Sequence, residues 1–367
     1  MTETMVPPGL KGVVVTTTEL GDVRGEEGFF HYRQHSAVEL ARTRSLEDVW
    51  FLLHRGRLPS PAELDAFRAE VAAARALPTA VVDLLPALAG LPPLAGLRTA
   101  LSLLGGRPVY DASVEERAAD ALRVCALTPT VLAALHRVRS GLDPLAPRDD
   151  LDAAANWLWV LHGRLPDDEH VAALRRYLVA TVDHGFNAST FTARVVASTG
   201  ADVVSAVVAA LGAFSGPLHG GAPDRALAAL EEIGTPERAP AWVRAQLAAG
   251  GRVMGFGHAV YRTEDPRSVL LRETALALGG PLVELAVDVE QRVVQTLTEL
   301  KPGRRLHANV EYYAGVVMSL CGLEPSLFTP TFATSRVVGW TANVLEQATD
   351  PRIIRPSARY VGPEPRR

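Results

Sequence analysis

Segments with the spacing of amphipathic helices recur along most of this chain, and they constrain its fold more than any other feature. Apolar residues return every three or four positions in them, and junctions that carry proline or glycine separate them. The segments are predicted at 113–140, 149–162, 167–184, 188–213, 223–233, 239–249, 265–278, 283–299, 309–321 and 332–348. Alternating strand patterns are nearly absent between residues 20 and 350, so a parallel sheet is disfavoured and an all-α fold is expected.

Two earlier helices are indicated by their N-terminal signals. Ser45 precedes two acidic residues and an apolar run, and Gly56 stands near the end of that segment. Ser60 and Glu63 have the spacing of a capping box, with Pro61 at the first helical position. We therefore predict that a helix begins just after each serine.

The two ends of the chain differ from its middle. Residues 1–35 are expected to form an irregular or β-rich lead-in, in which the β-branched run at residues 12–18 predicts a strand. The run at residues 352–362 is basic, β-prone and stopped by proline, which is typical of an arm that packs across another surface.

The composition is that of an ordinary soluble globular protein. Of the 367 residues, 48% are apolar and 21% are charged, and the net charge of -4 argues against a nucleic-acid-binding protein.

Cys125 and Cys321 lie far apart and indicate neither a disulfide framework nor a zinc motif. The apolar stretch 84–97 is too short and too rich in proline for a membrane span. Glu3 and Lys11 precede the first apolar run, unlike a secretory signal, so we expect a cytoplasmic protein with no membrane or nucleic-acid partner.

Residues 253–267 form the most informative stretch. Two glycines separated by one residue let the backbone approach a ligand, and His258 follows at once. Further on, a proline biases Asp265 away from helical geometry and aims Arg267, whose planar guanidinium suits a carboxylate. The stretch therefore predicts acid/base chemistry on a small carboxylic acid. The alternative is a tight turn with a structural histidine, and Val260 stands where a dinucleotide fingerprint needs its third glycine.

Three other segments place polar groups in apolar helical surroundings. His219 is flanked by glycines after one apolar helix, and His184 and Asn187 follow another. Glu311 stands at a predicted helix start beside aromatic residues, which would desolvate the carboxylate and raise its pKa. Each histidine alone is equally consistent with a structural hydrogen bond, and Glu311 alone with an acid that the helix dipole favours.

Several chemistries are excluded because their motifs are missing. The sequence contains no GxSxG elbow, no GxxxxGK[ST] phosphate loop and no HExxH pair. Serine hydrolase, P-loop kinase and zincin functions are therefore disfavoured. The remaining histidines, one carboxylate and several arginines suit proton transfer beside a bound polycarboxylate.

These segments, in this order, resemble the three catalytic motifs of the citrate synthase family. The match rests on His219 between its glycines, on the stretch from His258 to Arg267, and on Glu311. Arg336 and Arg355 lie in two further matching motifs, and the resemblance covers nearly the whole chain.

The resemblance implies an all-α homodimer with two domains. The large domain would comprise residues 1–221, to which residues 324–367 return as a C-terminal arm, and residues 222–323 would form the small domain. The implied reaction is the condensation of oxaloacetate with acetyl-CoA to give citrate and CoA. Acetyl-CoA is then a co-substrate, and neither a metal nor a permanently bound cofactor is implied.

The resemblance also implies roles for individual residues. Glu311 would be the base, His219 would donate to the thioester oxygen, and His258 would donate to the ketone of oxaloacetate. The carboxylates of oxaloacetate would be held by His184, Arg267, Arg336 and the partner subunit's Arg355. CoA would be bound by Val253, Met254, Gly255, Gly257 and Asn309. Candidates for its phosphates are Arg252, Lys301, Arg304 and Arg305.

The sequence departs from the family pattern at several positions. Glu311 stands where the family usually has an aspartate, which is one methylene shorter. Pro223, Ser357 and residues 32–35 also differ from the usual pattern. Two alternatives therefore stay open: a 2-methylcitrate synthase that uses propionyl-CoA, and a catalytically impaired relative that binds oxaloacetate or acyl-CoA as a sensor.

Overall fold

The fold is all-α with one small sheet near the N-terminus. The computed structural model describes residues 6–10, 12–217, 219, 223–258, 260–304 and 306–365. The first helices of the described chain are α1 Ala37–Thr43, α2 Leu46–Arg55, α3 Pro61–Ala73, α4 Thr79–Leu88, α5 Pro93–Ser102, α6 Val114–Arg139, α7 Ala153–His162 and α8 Asp168–Thr181. The later helices are α9 Ala188–Ser198, α10 Val203–Phe214, α11 Pro223–Ile233, α12 Ala239–Ala248, α13 Pro266–Leu278, α14 Pro281–Leu300, α15 Val310–Leu320 and α16 Phe328–Gln347.

Both helix starts that the capping signals predicted are confirmed. The Ser45 side chain accepts a hydrogen bond from Asp48 N at 3.2 Å and so caps α2, which ends at Gly56 with φ +84°. Ser60 caps α3 in the same way, and the Glu63 carboxylate accepts from Ser60 N at 2.9 Å. Local hydrogen bonds therefore fix these helix ends, because they satisfy N–H groups that the first turn leaves without a partner.

The single helix predicted at 188–213 is wrong, because α9 and α10 are separate. Gly200 has φ +87°, a left-handed conformation that ends a helix and favours glycine. Asp202 then begins α10, because its side chain accepts from Ser205 N at 2.9 Å. The apolar periodicity continues across the break and hides it.

The strand predicted at residues 12–18 is also wrong. The sheet lies further on and consists of β1 Gly21–Arg24, β2 Phe29–Tyr32 and β3 His35–Ser36, paired antiparallel in the order β1-β2-β3. β-Propensity produces a strand only where a partner strand supplies hydrogen bonds, and no described strand pairs with residues 12–18.

Helix α16 is the central helix of the core, and it positions one side of the cleft described below. It packs against α6, α8, α9 and α10, and Trp340 on it is fully buried against Phe214. Gly339 allows a close approach, because a β-carbon there would lie 3.1 Å from Asp183 Cβ. The turn that carries His184 is therefore held directly against α16.

Helix α6 is long and apolar enough to cross a membrane. In the structure 67% of its apolar window is buried inside the protein, as expected for the core helix of a folded domain.

The C-terminal arm has no regular secondary structure. Within it, Ile354 N donates to Ser198 Oγ at 3.0 Å, and the arm lines a groove together with residues 13–17. The predicted boundary between the domains, at residues 221 and 222, falls outside the described residues, and the division into two domains stays a prediction.

Candidate active site

A cleft of about 790 Å³ brings together side chains that are scattered along the sequence. Its walls come from the N-terminal hairpin of β1 and β2, the turns before α9 and α11, residues 253–258 and the start of α15. Of the twelve residues to which the resemblance assigns a role, nine line it: His184, His219, Val253, Met254, Gly255, Gly257, His258, Asn309 and Glu311. Arg267, Arg336 and Arg355 do not line it.

The glycine turn before the histidine is tied to the start of α15. Gly255 and Gly257 have φ values of +82° and +83°, which explains why glycine occupies both positions. Gly257 N donates to His307 O at 2.8 Å, and Asn309 N donates to Gly255 O at 2.8 Å. The Asn309 side chain donates to Gly257 O at 2.9 Å and accepts from Glu311 N at 3.1 Å. One asparagine thus connects the turn with the helix that carries the carboxylate.

The backbone fixes the tautomer of His258. Its Nδ1 atom accepts from Val260 N at 3.0 Å and from Tyr261 N at 3.1 Å, so the ring proton resides on Nε2. Burial, and secondly the nearby Arg267, lower the pKa of His258 to about 4. His258 is therefore a neutral imidazole at pH 7, and its Nε2–H is a hydrogen-bond donor.

Arg267 is held rigidly by Asp265. The Asp265 carboxylate accepts from Arg267 N and Nε at 3.0 Å each, from Arg267 Nη2 at 2.8 Å, and from Val310 N at 3.2 Å. Asp265 has the extended backbone predicted for a residue before proline, with ψ 115°. Both side chains are buried. Arg267 Nη2 lies 3.2 Å from His258 Nε2, so the guanidinium is in direct contact with a histidine that lines the cleft.

Glu311 stands in the first turn of α15 and lines the cleft. Burial raises its pKa to about 7, and it outweighs the opposing effect of the Arg267 cation. A carboxylate with this pKa is a stronger base than an exposed one and is still ionised in a large fraction of molecules at neutral pH.

His184 lies next to His258. Its ring centroid is 5.7 Å from that of His258, and its Nε2 atom is 3.0 Å from the Tyr261 hydroxyl. Burial, followed by the nearby Arg267 and Arg336, lowers its pKa well below the ordinary value, so this ring is also neutral.

Arg336 does not line the cleft. It is buried, its Nε donates to Thr181 O at 2.8 Å, and its guanidinium lies 4.7 Å from the centroid of the Phe332 ring. Burial raises the pKa of the neighbouring Asp183 to about 6, although the Arg336 cation opposes this shift. Burial also lowers the pKa of Arg336 to about 10, so the guanidinium remains charged.

His219 is anchored by a serine that the motif analysis did not single out. Its Nε2 atom accepts from Ser189 N at 3.4 Å and lies 2.8 Å from Ser189 Oγ, which accepts from Trp340 Nε1 at 3.0 Å and lies 2.8 Å from Asn187 Oδ1. Burial lowers the pKa of His219 to about 4, with a smaller contribution from Arg336. With Nε2 as the acceptor, the proton of the neutral ring is on Nδ1, and this N–H is the group available to a ligand.

Comparisons with known proteins show the family to which this chain belongs. A family model described as citrate synthase, C-terminal domain, matches residues 9–357. The chain belongs to the citrate synthase family. Citrate synthase 2 of Bacillus subtilis is 37% identical over 365 residues, which cover 97% of this chain and 96% of that protein. The 2-methylcitrate synthase of Mycobacterium tuberculosis is 38% identical over 369 residues, which cover 98% of this chain and 92% of that protein.

A solved structure of the family matches the fold as well. It is the ternary complex of citrate synthase from Thermoplasma acidophilum with carboxymethyl coenzyme A and oxaloacetate. It has 28% sequence identity and a TM-score of 0.89, and the match covers 98% of this chain and 97% of that one. The predicted all-α fold and the prediction of an enzyme of the citrate synthase type are thereby confirmed.

The predicted substrate ligand Arg355 of this citrate synthase family member lines a different groove from the cleft. Arg355 lies in the exposed C-terminal arm and lines the groove beside residues 13–17. This position suits the prediction that the residue acts in a partner subunit, which stays a prediction.

The candidates for CoA phosphates are only partly brought to the cleft. Arg252 lines it, as does Arg225, which the motif analysis did not identify. Lys301 and Arg304 do not line it, and Arg305 falls outside the described residues.

Other contributors were missed because they carry no motif of their own. Ser189 and Tyr261 hold the histidines, and Asp22 and Val23 form one wall of the cleft. Ser189 could have been suspected, because it stands in the first turn of α9, two residues after the N-cap Asn187. The wall from β1 has no comparable signal in the sequence.

We predict that Glu311→Gln stabilises the unliganded protein above pH 7. Because the folded pKa is about 7 rather than the ordinary 4.5, ionising Glu311 costs the folded state up to about 3 kcal/mol. The folded protein binds more protons than the unfolded chain between these values, so wild-type stability falls as pH rises through this window. The variant has no such loss, and its free energy of unfolding in urea should match wild type near pH 4 and exceed it at pH 8.

Glu70→Gln, at an exposed position of α3, is the matched control and should follow wild type at every pH. A constant difference between Glu311→Gln and wild type from pH 4 to pH 8 would show that the Glu311 pKa is not raised.

Proposed function

We propose that this protein condenses oxaloacetate with acetyl-CoA and water to give citrate and CoA. The observation that carries the proposal is the pair of donors at His258 Nε2 and Arg267 Nη2, only 3.2 Å apart. Neither atom can accept from the other, so both are satisfied when an anionic or carbonyl oxygen of a ligand lies against them. Oxaloacetate offers both kinds of oxygen.

The neighbouring groups suit the chemistry of a thioester. A thioester methyl group is a weak acid, so its deprotonation needs a positioned base and a donor at the oxygen on which charge develops. Glu311 would remove the proton, and His219 would donate to the thioester oxygen. The resulting carbon nucleophile attacks the ketone of oxaloacetate, and His258 donates to the oxygen that becomes the alcohol. Water then cleaves the citryl thioester into citrate and CoA.

The remaining groups would bind the two substrates. Arg267 and Arg336 are buried cations, and His184 lies beside them, so this part of the cleft is suited to a dicarboxylate. The partner subunit's Arg355 would complete the set in a homodimer. The turn at residues 253–257 would lie against the adenine of CoA, with Asn309 near the pantetheine arm. The Thermoplasma acidophilum relative, which binds oxaloacetate and a CoA analogue, supports this assignment.

A second candidate is 2-methylcitrate synthesis from oxaloacetate and propionyl-CoA. The 38% identity with the Mycobacterium tuberculosis 2-methylcitrate synthase favours it about as strongly as the other relatives favour citrate. The two acyl groups differ by one methylene, which changes transition-state binding by about 1–3 kcal/mol in an apolar pocket. A third candidate, an impaired enzyme that senses its ligands, rests on the longer base Glu311.

A thiol-release assay separates the three candidates. With oxaloacetate present, we expect CoA release from acetyl-CoA with a higher kcat/KM than from propionyl-CoA. The opposite ratio would favour 2-methylcitrate synthesis. Absence of turnover with both thioesters, together with intact oxaloacetate binding by calorimetry, would favour the sensor.

The pH dependence of the rate tests the base. Because only ionised Glu311 can remove the proton, kcat/KM for acetyl-CoA should rise with pH and level off above about pH 7. His219 and His258 have pKa values of about 4 and stay neutral through this range. Glu311→Gln should lower kcat by about 10²–10⁴-fold and preserve oxaloacetate binding. A fully active variant, or a flat profile from pH 5.5 to pH 8, would contradict the assignment.

A further inference from the structure

The tip of the N-terminal hairpin is packed against the segment that follows His258. The tip comprises residues 25–28, between β1 and β2, and it contacts residues 260–263. At the centre of this contact Gly25 O accepts a hydrogen bond from Arg262 N at 3.0 Å. The two segments are more than 230 residues apart in the sequence.

This contact leaves no room for a side chain at Gly25 or at Gly28. A β-carbon on Gly25 would lie 2.8 Å from the carbonyl carbon of Val260 and would overlap its oxygen. A β-carbon on Gly28 would lie 2.6 Å from Thr263 Oγ1, and Gly28 has φ +62°. At Gly25 the obstacle is backbone, which cannot rotate away, so the two segments approach as closely as their main chains permit.

Charge contributes little to the contact. The Glu26 and Arg262 side chains form an ion pair at 3.9 Å, but 86% and 56% of their surfaces are exposed. Such pairs contribute about 0–1 kcal/mol. The main-chain hydrogen bond and the close packing of Gly25 therefore determine the position of the tip against residues 260–263.

The segment held by the tip is the one that orients the histidines of the cleft. Val260 N and Tyr261 N both donate to His258 Nδ1, which keeps the ring proton on Nε2. The Tyr261 hydroxyl is 3.0 Å from His184 Nε2. A displacement of residues 260–262 therefore changes the donor geometry of His258 and the support of His184 together.

We infer that the hairpin tip is a positioning element for the reaction, and that Gly25 holds residues 260–262 in the register that presents His258 Nε2–H to the substrate. The role of His258 in the reaction rests on the proposed function, whereas the effect of Gly25 on the His258 ring does not. The same hairpin contributes Asp22 and Val23 to the wall of the cleft. The hairpin thus forms part of the cleft wall and fixes the orientation of His258, one of the hydrogen-bond donors in the cleft.

The test compares Gly25→Ala with Gly90→Ala in the full-length protein. Gly90 follows α4, and a β-carbon there would meet nothing within 4 Å, so it is the matched control for adding a methyl group. The direct measurement is the tautomer of His258, read from ¹⁵N shifts of protein labelled at histidine and assigned with His258→Gln. Wild type and Gly90→Ala should show the proton on Nε2. Gly25→Ala should show a mixture of tautomers, because the Val260 and Tyr261 donors are displaced.

Kinetics then separate positioning from general damage. Because a displacement of about 1 Å can reduce a rate roughly 10²-fold, Gly25→Ala should lower kcat by about 10–100-fold, with a KM for acetyl-CoA close to wild type. Gly90→Ala should keep kcat within about 2-fold of wild type. An unchanged His258 tautomer in folded Gly25→Ala would overturn the inference.

If Gly25→Ala does not fold, native-state amide exchange of wild type tests whether the hairpin and residues 260–263 form one unit. The amides of residues 21–32 and 260–263 should open in one unit with the same free energy. Separate opening of the hairpin, with residues 260–263 still protected, would overturn the inference. If wild type shows no turnover, the proposed function fails, while the tautomer and exchange measurements still test the role of Gly25.

Discussion

The buried ion pair between Asp265 and Arg267 is the interaction on which the site depends. Burying two charges costs several kcal/mol per ion unless close contact and further hydrogen bonds compensate. Here the carboxylate accepts from three atoms of Arg267 and from Val310 N, so it joins the start of α13 to the start of α15. The guanidinium has one fixed position, with His258 on one side and the helix that carries Glu311 on the other.

The charges around this pair explain the protonation states of the cleft. Burial and the Arg267 cation both lower the pKa of His258, so its ring stays neutral. At Glu311 burial raises the pKa and the Arg267 cation lowers it, and burial has the larger effect. The same environment therefore yields a neutral donor and a moderately strong base close together, which is the combination that carbon acid chemistry needs.

Local features of the site could be predicted from the sequence, and contacts between distant segments could not. The glycines around His258, the extended backbone of Asp265 and the caps of α2 and α3 follow from short-range physics, and the structure has them as predicted. The break at Gly200 was missed because the apolar periodicity runs through it.

The convergence of His219, His258 and Glu311 was inferred from the family resemblance, since spacing alone cannot bring together residues 39 and 53 positions apart. The Ser189 anchor of His219 and the contact of Gly25 with Arg262 have no motif at all, because they depend on how distant segments pack.

The most direct test of this account is a crystal structure of the protein with oxaloacetate bound. We predict an oxaloacetate oxygen within hydrogen-bond distance of both His258 Nε2 and an Arg267 nitrogen, with the Glu311 carboxylate facing the same cleft. Oxaloacetate bound at another site, with His258 and Arg267 still in direct contact, would contradict it.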